Sequence, residues 1–115
     1  MRHHDRNKKL GREKNQRGAL MKSLARSLVL HEKIKTTETK AKALRPYVER
    51  LITQSKKNTI PARRMVVSKI GTDGAKKMFD ILGPKYKERR GGYTRITKLQ
   101  RRNSDDSKMS LIELV

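Results

Sequence analysis

The sequence predicts an α+β fold in which a small three-stranded sheet is backed by helices. Two periodicities and one composition limit predict it. Apolar residues recur at helical spacing in four stretches between positions 20 and 82. At 33–37, 93–99 and 109–115 they alternate instead, as half-buried strands do. The chain has 115 residues, of which 33% are hydrophobic and 37% charged, enough for one thin core and no second domain. Packing the helical stripes on a sheet is the economical way to bury both. No internal repeat and no domain boundary is visible. We divide the chain into a basic arm at 1–14 and a single domain at 15–115.

The elements follow in order. Leu20, Met21, Leu24, Ala25, Leu28 and Val29 form one helical face, with Lys22 and Arg26 opposite. Asn15 is the expected N-cap, and the helix should end near His31. "KIKTT" (33–37) is rich in β-branched residues and reads as a short strand. A second helix carries Ala41, Leu44, Val48, Leu51 and Ile52, with Thr37 as its candidate cap. Pro46 lacks an amide donor and crowds the carbonyl four residues earlier, so a kink or a break is expected there. A third helix starts at Asn58 or Thr59, has Pro61 in its first turn and stops at Gly71. It turns Ala62, Met65, Val66 and Ile70 inward and Arg63 and Arg64 outward. A fourth opens at Thr72 or Asp73, shows Ala75, Met78, Phe79 and Leu82, and should end at Gly83-Pro84. "YTRITKL" and "MSLIELV" then read as strands joined by a polar loop.

Charge limits the function. Lys and Arg number 31 against 11 acidic residues, a formal net charge of +20. Such an excess opposes compaction by self-repulsion, and a polyanionic partner is its natural counterweight. Two stretches concentrate it. Residues 1–17 carry Arg2, Arg6, Lys8, Lys9, Arg12, Lys14 and Arg17 against two acids, a net +5. Residues 85–102 hold eight basic residues and one acid, a net +7. The first reads as an extended arm that orders on a polyanion.

The second contains "RRGGYTR". Gly91 and Gly92 would let backbone amides approach phosphates closely, and Arg89, Arg90 and Arg95 flank them with planar forks suited to phosphate oxygens. Tyr93 has two readings, a ring stacked on a base or ribose and a ring packed on the sheet. With three Tyr, one Phe and no Trp, the chain is poorly equipped to read splayed bases. Binding by backbone charge and shape, the mode suited to folded RNA, is the expectation.

Other classes find little support. The longest purely aliphatic runs span three residues, far below the ~20 that cross a bilayer, so no membrane partner is expected. Cysteine is absent, and His3, His4 and His31 have no metal-ligand spacing, so no metal or other cofactor is expected. Asp105 and Asp106 read as a solvated turn that relieves repulsion beside Arg101 and Arg102. No nucleophile elbow, phosphate loop or acid–base pair is present, which argues against an enzyme and a small-molecule substrate. A DNA-compacting protein is the competing binder, but the third helix lacks base-reading side chains.

At "SLVLHEKIKTTETKAKALR" (27–45) and "RGGYTRI" (90–96), with "MRH", "GR" at 11–12, "LIT" at 51–53 and "IELV" at the end, the chain resembles the bacterial-type large-subunit ribosomal protein L17 family. The match runs through essentially the whole chain. The resemblance implies a structural protein of the large subunit, with a mixed three-stranded sheet, cytoplasmic or organellar. Its implied partners are 23S-type rRNA near the peptide exit tunnel and the neighbouring ribosomal proteins there. It also implies RNA-facing roles for Arg2, His3, Arg6, Lys8, Lys9 and Arg12, for Lys35, Thr36 and Thr37, and for Arg90 to Arg95. Arg17, Arg63, Arg64 and Arg89 join that set on charge. Two departures stand out: His4-Asp5 replaces commonly basic residues, and "RRNSDDSK" replaces a loop that usually carries a glycine and an arginine-rich turn.

Overall fold

The computed structural model describes residues 13–115. Arg2, His3, Arg6, Lys8, Lys9 and Arg12 lie outside the described residues. Helix α1 spans Lys14–His31, strand β1 Lys33–Thr37, helix α2 Glu38–Ser55 and helix α3 Ile60–Lys77. A π-helical turn, Met78–Leu82, leads into the short α4, Gly83–Lys85, and strands β2 (Thr94–Lys98) and β3 (Met109–Leu114) complete the chain. The sheet order is β1-β3-β2, and both pairings are antiparallel. The mixed sheet implied by the family resemblance is therefore corrected. The last strand inserts between the other two, so it meets each with reversed direction.

Helix α2 holds the fold together. It touches all three strands as well as α1, α3, the π turn and α4. Ala41, Leu44, Val48, Leu51 and Ile52 are buried along one side of it. Across the sheet, Ile34, Ile112 and Ile96 stand in one row by register and pack into the same core. Thr37 caps α2, its hydroxyl accepting from the Lys40 amide at 3.4 Å. Pro46 does not break the helix. It lies on the exposed side with Lys42, so water can satisfy the carbonyl that loses its amide while the buried stripe holds the axis.

The remaining boundaries differ in instructive ways. The cap of α1 is Glu13 rather than Asn15, and Gln16 reaches back to accept from the Glu13 amide at 3.4 Å. At the other end Glu32 takes a left-handed conformation and donates to Leu28 O at 2.7 Å. Gly71 interrupts α3 as expected, with φ 81° and ψ 174°, but the chain resumes helix at once. Asp73 supports that restart by accepting from the Gly74 amide at 3.0 Å while Arg26 binds its other oxygen at 2.5 Å. The Arg26 hydrogen bond chiefly holds the Asp73 carboxyl below its ordinary range.

Gly83-Pro84 was expected to end the fourth helix, yet helix continues to Lys85. The widened π turn absorbs the donor that Pro84 lacks, with Gly83 N–H reaching Met78 O. Gly83 is helical and buried. A Cβ there would sit 3.2 Å from Ser55 O, so the glycine permits close packing against the end of α2.

Candidate nucleic-acid interface

Alternation along the strands separates two faces of the sheet. Ile34, Ile96 and Ile112 point to the helices, which leaves Lys33, Lys35, Arg95 and Thr97 on the outer face. All four are exposed. In register, Lys33 and Arg95 both pair with Glu113 from opposite sides, and Lys35 and Thr97 both pair with Leu111. Arg95 approaches Glu113 to 3.7 Å, leaving Lys33 and Lys35 as excess positive charge. The outer face is thus a small cationic platform.

Next to it lies the Arg89–Gly92 bend. Tyr86 and Tyr93 anchor its two ends. Both rings are buried, their centroids 5.1 Å apart and their planes tilted by 58°. The Tyr86 hydroxyl donates to Val115 O at 2.7 Å. Tyr93 donates to Arg89 O at 3.1 Å and accepts from Lys56 Nζ at 2.9 Å. Lys56 also donates to Arg89 O, so one ammonium ties the bend to the end of α2. Thr94 Oγ1 donates to Glu49 at 2.7 Å and fixes the start of β2 on the same helix. Above this base Arg89, Arg90, Gly91 and Gly92 are exposed. Gly92 has φ +64°, which favours glycine, while Gly91 has neither a positive φ nor any neighbour within 4 Å of the point a Cβ would occupy.

The turn after α2 links this bend to α3. Asn58 accepts from Arg63 at 2.7 Å, and the Arg63 guanidinium also lies 4.7 Å from the centroid of the Phe79 ring. Arg63, Arg64 and Lys57 are exposed. Lys56 and Asn58 therefore bring the bend and the first turn of α3 to one end of α2.

Three sequence-predicted contacts fall elsewhere. Thr36 is buried on the helix-facing side of the sheet, because it shares parity with Ile34. Thr37 is occupied as the α2 cap. Tyr93 is 2% exposed, so the packed reading replaces the stacked one and its role is to shape the bend. Arg17 is half-buried in the first turn of α1. Two residues of this surface were not singled out from the sequence. Lys33 was legible as the residue two before Lys35 on one strand face, whereas Lys56 acts through a contact 37 residues away that no local pattern signals.

All four aromatic rings, Tyr47, Phe79, Tyr86 and Tyr93, are buried or half-buried. No ring is offered to a base. What the surface presents is arginine forks, lysine ammoniums and bare backbone at the bend, a set matched to phosphate oxygens. Among the described residues no helix is long and apolar enough to cross a membrane, and no cluster of three His, Cys, Asp or Glu could hold a metal.

Comparison with known proteins supplies the remaining finding. A family model described as ribosomal protein L17 matches residues 20–115. The large ribosomal subunit protein bL17 of Persephonella marina is 50% identical over 118 aligned residues, covering 100% of this chain and 95% of that protein. Its counterpart in Methylacidiphilum infernorum is 51% identical, covering 98% and 87%. That of a Hydrogenobaculum species is 49% identical, covering 100% and 99%.

Proposed function

The chain belongs to the ribosomal protein L17 family, and we propose that it is a structural constituent of the cytoplasmic large ribosomal subunit that binds 23S-type rRNA. The family is one of ribosomal structural proteins, so no catalysis is assigned. The observation that carries the reading is identity of about half the residues across nearly the full length of proteins named for that subunit. The net charge of +20 gives the physical reason for an RNA partner.

In this reading Lys33, Lys35 and Arg95 set phosphates against the outer sheet face. Arg89, Arg90 and the bare amides of Gly91 and Gly92 take a second stretch of backbone, and Arg63 and Arg64 extend the contact along α3. The arm residues Arg2, His3, Arg6, Lys8, Lys9 and Arg12, followed by Arg17, add the charge of the N-terminal stretch. Phosphate contacts fix orientation, and the fold of the RNA supplies specificity. A position near the peptide exit tunnel, beside other large-subunit proteins, follows from the family resemblance.

Gradient sedimentation of a tagged copy from lysate, washed at high salt before loading, tests the assignment. Co-migration with the large subunit is the expected result. Release to the top of the gradient would overturn it. Crosslinking from position 90 tests the placement: adducts with rRNA and proteins at the tunnel exit are expected, and adducts confined to the intersubunit face would refute it.

A further inference from the structure

The helix-facing side of the β2 edge carries a second feature that the interface above does not use. Two adjoining hollows, of about 520 and 350 Å³, lie between the first half of α2 and the ends of β2 and β3, and share Glu38 and Lys42 as a common wall. Arg45, Lys98 and Lys108 add three more cations to the lining. Lys42 pairs with Glu38 at 2.8 Å, and Arg45 with Glu49 at 3.4 Å. Lys98 and Lys108 have no side-chain partner among the described residues. Both face Glu38 closely enough that, after the Lys42 hydrogen bond, they help hold its carboxyl below its ordinary value. With Lys42 and Arg45 each paired to a carboxylate, Lys98 and Lys108 leave the groove net positive, and the N-terminal end of the 18-residue α2 adds its dipole.

A second observation comes from the lining residue Ser110. Its side chain is fully buried on the central strand. Among the described residues, Ser110 Oγ is the buried side-chain polar atom with no hydrogen-bond partner. A buried hydroxyl left without a partner loses its hydration with nothing in return, unless a ligand or an ordered water completes it. The hydroxyl can donate to an anion, and the cations around it select negative charge. No aromatic side chain lines either hollow, so nothing there would hold a base.

We propose that this groove binds a phosphodiester of the RNA backbone, with Lys98 and Lys108 as its counter-charges and Ser110 as the donor at its floor. The proposal rests on the rRNA-binding reading and adds a site to it. Arg95 lies on the outer side of β2 and Lys98 on the inner side, so an RNA strand crossing that edge is held from both.

The test measures binding of the full-length chain to in-vitro-transcribed large-subunit rRNA across a salt series. Wild type, the double variant Lys98→Gln/Lys108→Gln and Ser110→Ala are compared, each with a thermal melt. The double variant should lower the salt slope by about one unit, for the one phosphate no longer neutralised. Ser110→Ala should keep the slope, weaken binding several-fold and melt no lower than wild type. Wild-type binding with unaltered slope and affinity in the variants would overturn the groove and leave the rRNA reading intact. Absence of wild-type binding even at low salt would overturn that reading itself. Inorganic phosphate, titrated at constant ionic strength while the Ser110 amide signal is followed, separates the two phosphate sources. A shift that RNA neither reproduces nor competes would make this a free-anion site and refute the proposal.

Discussion

Gly91 and Gly92 are adjacent, yet the structure gives them different reasons to be glycine, and that difference can be measured. Gly92 has φ +64°. An alanine forced into that region costs about 1–2 kcal/mol, partly offset by about 0.4–1 kcal/mol from a less flexible unfolded chain. The net loss for Gly92→Ala is then on the order of 1 kcal/mol, or a melting temperature lower by roughly 3–6 °C. Gly91 has an ordinary φ and open space around the position a methyl would take. Folding alone should therefore favour Gly91→Ala, by about 0.4–1 kcal/mol. RNA binding should respond the other way. A methyl at Gly91 holds the backbone away from a phosphate, and losing a charge-assisted amide contact of about 1.5–3 kcal/mol weakens affinity by about 10–100-fold. The assays are thermal melting and RNA binding at fixed salt on the same preparations. If Gly91→Ala binds as wild type and only stability moves, the bend is a plain turn and the phosphate-contact reasoning fails.

The other predictions concern helix glycines, a buried phenol and the salt response. Gly18 lies in α1 with nothing within 4 Å of a Cβ, so Gly18→Ala should stabilise by about 1 kcal/mol, whereas Gly83→Ala brings a methyl to 3.2 Å from Ser55 O and should lower the melting temperature. Tyr86→Phe removes the hydrogen bond to Val115 O and should cost about 1 kcal/mol at neutral pH, read by denaturant titration. Burial raises the Tyr86 phenol above its ordinary value. Its stabilising effect is therefore complete below the unfolded value of about 10 and is lost as pH rises toward the folded one, so Tyr86→Phe should flatten the alkaline fall in stability; an unaltered alkaline limb would refute this. If about 6–10 phosphates are contacted, affinity of the isolated protein for rRNA should fall about 10³–10⁵-fold between 50 and 200 mM salt, and a flat titration would contradict binding by backbone charge.

Short-range physics made much of the fold legible. The strand at Lys33–Thr37 and the Thr37 and Thr59 caps sit where β-branched alternation and hydroxyl capping place them. Gly71 interrupts its helix for the reason its sequence position suggests. The same patterns marked Arg89, Arg90, Lys35 and Arg95 as cations on turns or strand faces, and all four are exposed. Motif spacing was enough to identify the family, and charge imbalance set the expectation of a polyanionic partner.

Tertiary structure decided what local patterns leave open. A proline in a helix and a Gly-Pro pair read as breaks by propensity, but burial of the α2 stripe and the π turn before Gly83 carry both helices through. Strand direction and order depend on which edges meet, and β3 placed between β1 and β2 makes the sheet antiparallel throughout. Tyr93 could stack outward or pack inward as far as its neighbours in sequence were concerned. Its packing on Tyr86 and its hydrogen bond with Lys56 settle the choice, because those partners come together only when α2 and the bend do. Lys98 and Ser110 likewise belong to one groove only by strand register. The sequence by itself determined the charge, the periodicities and the kinship; the packing of α2 against the sheet decided which side chains stay exposed and which are buried.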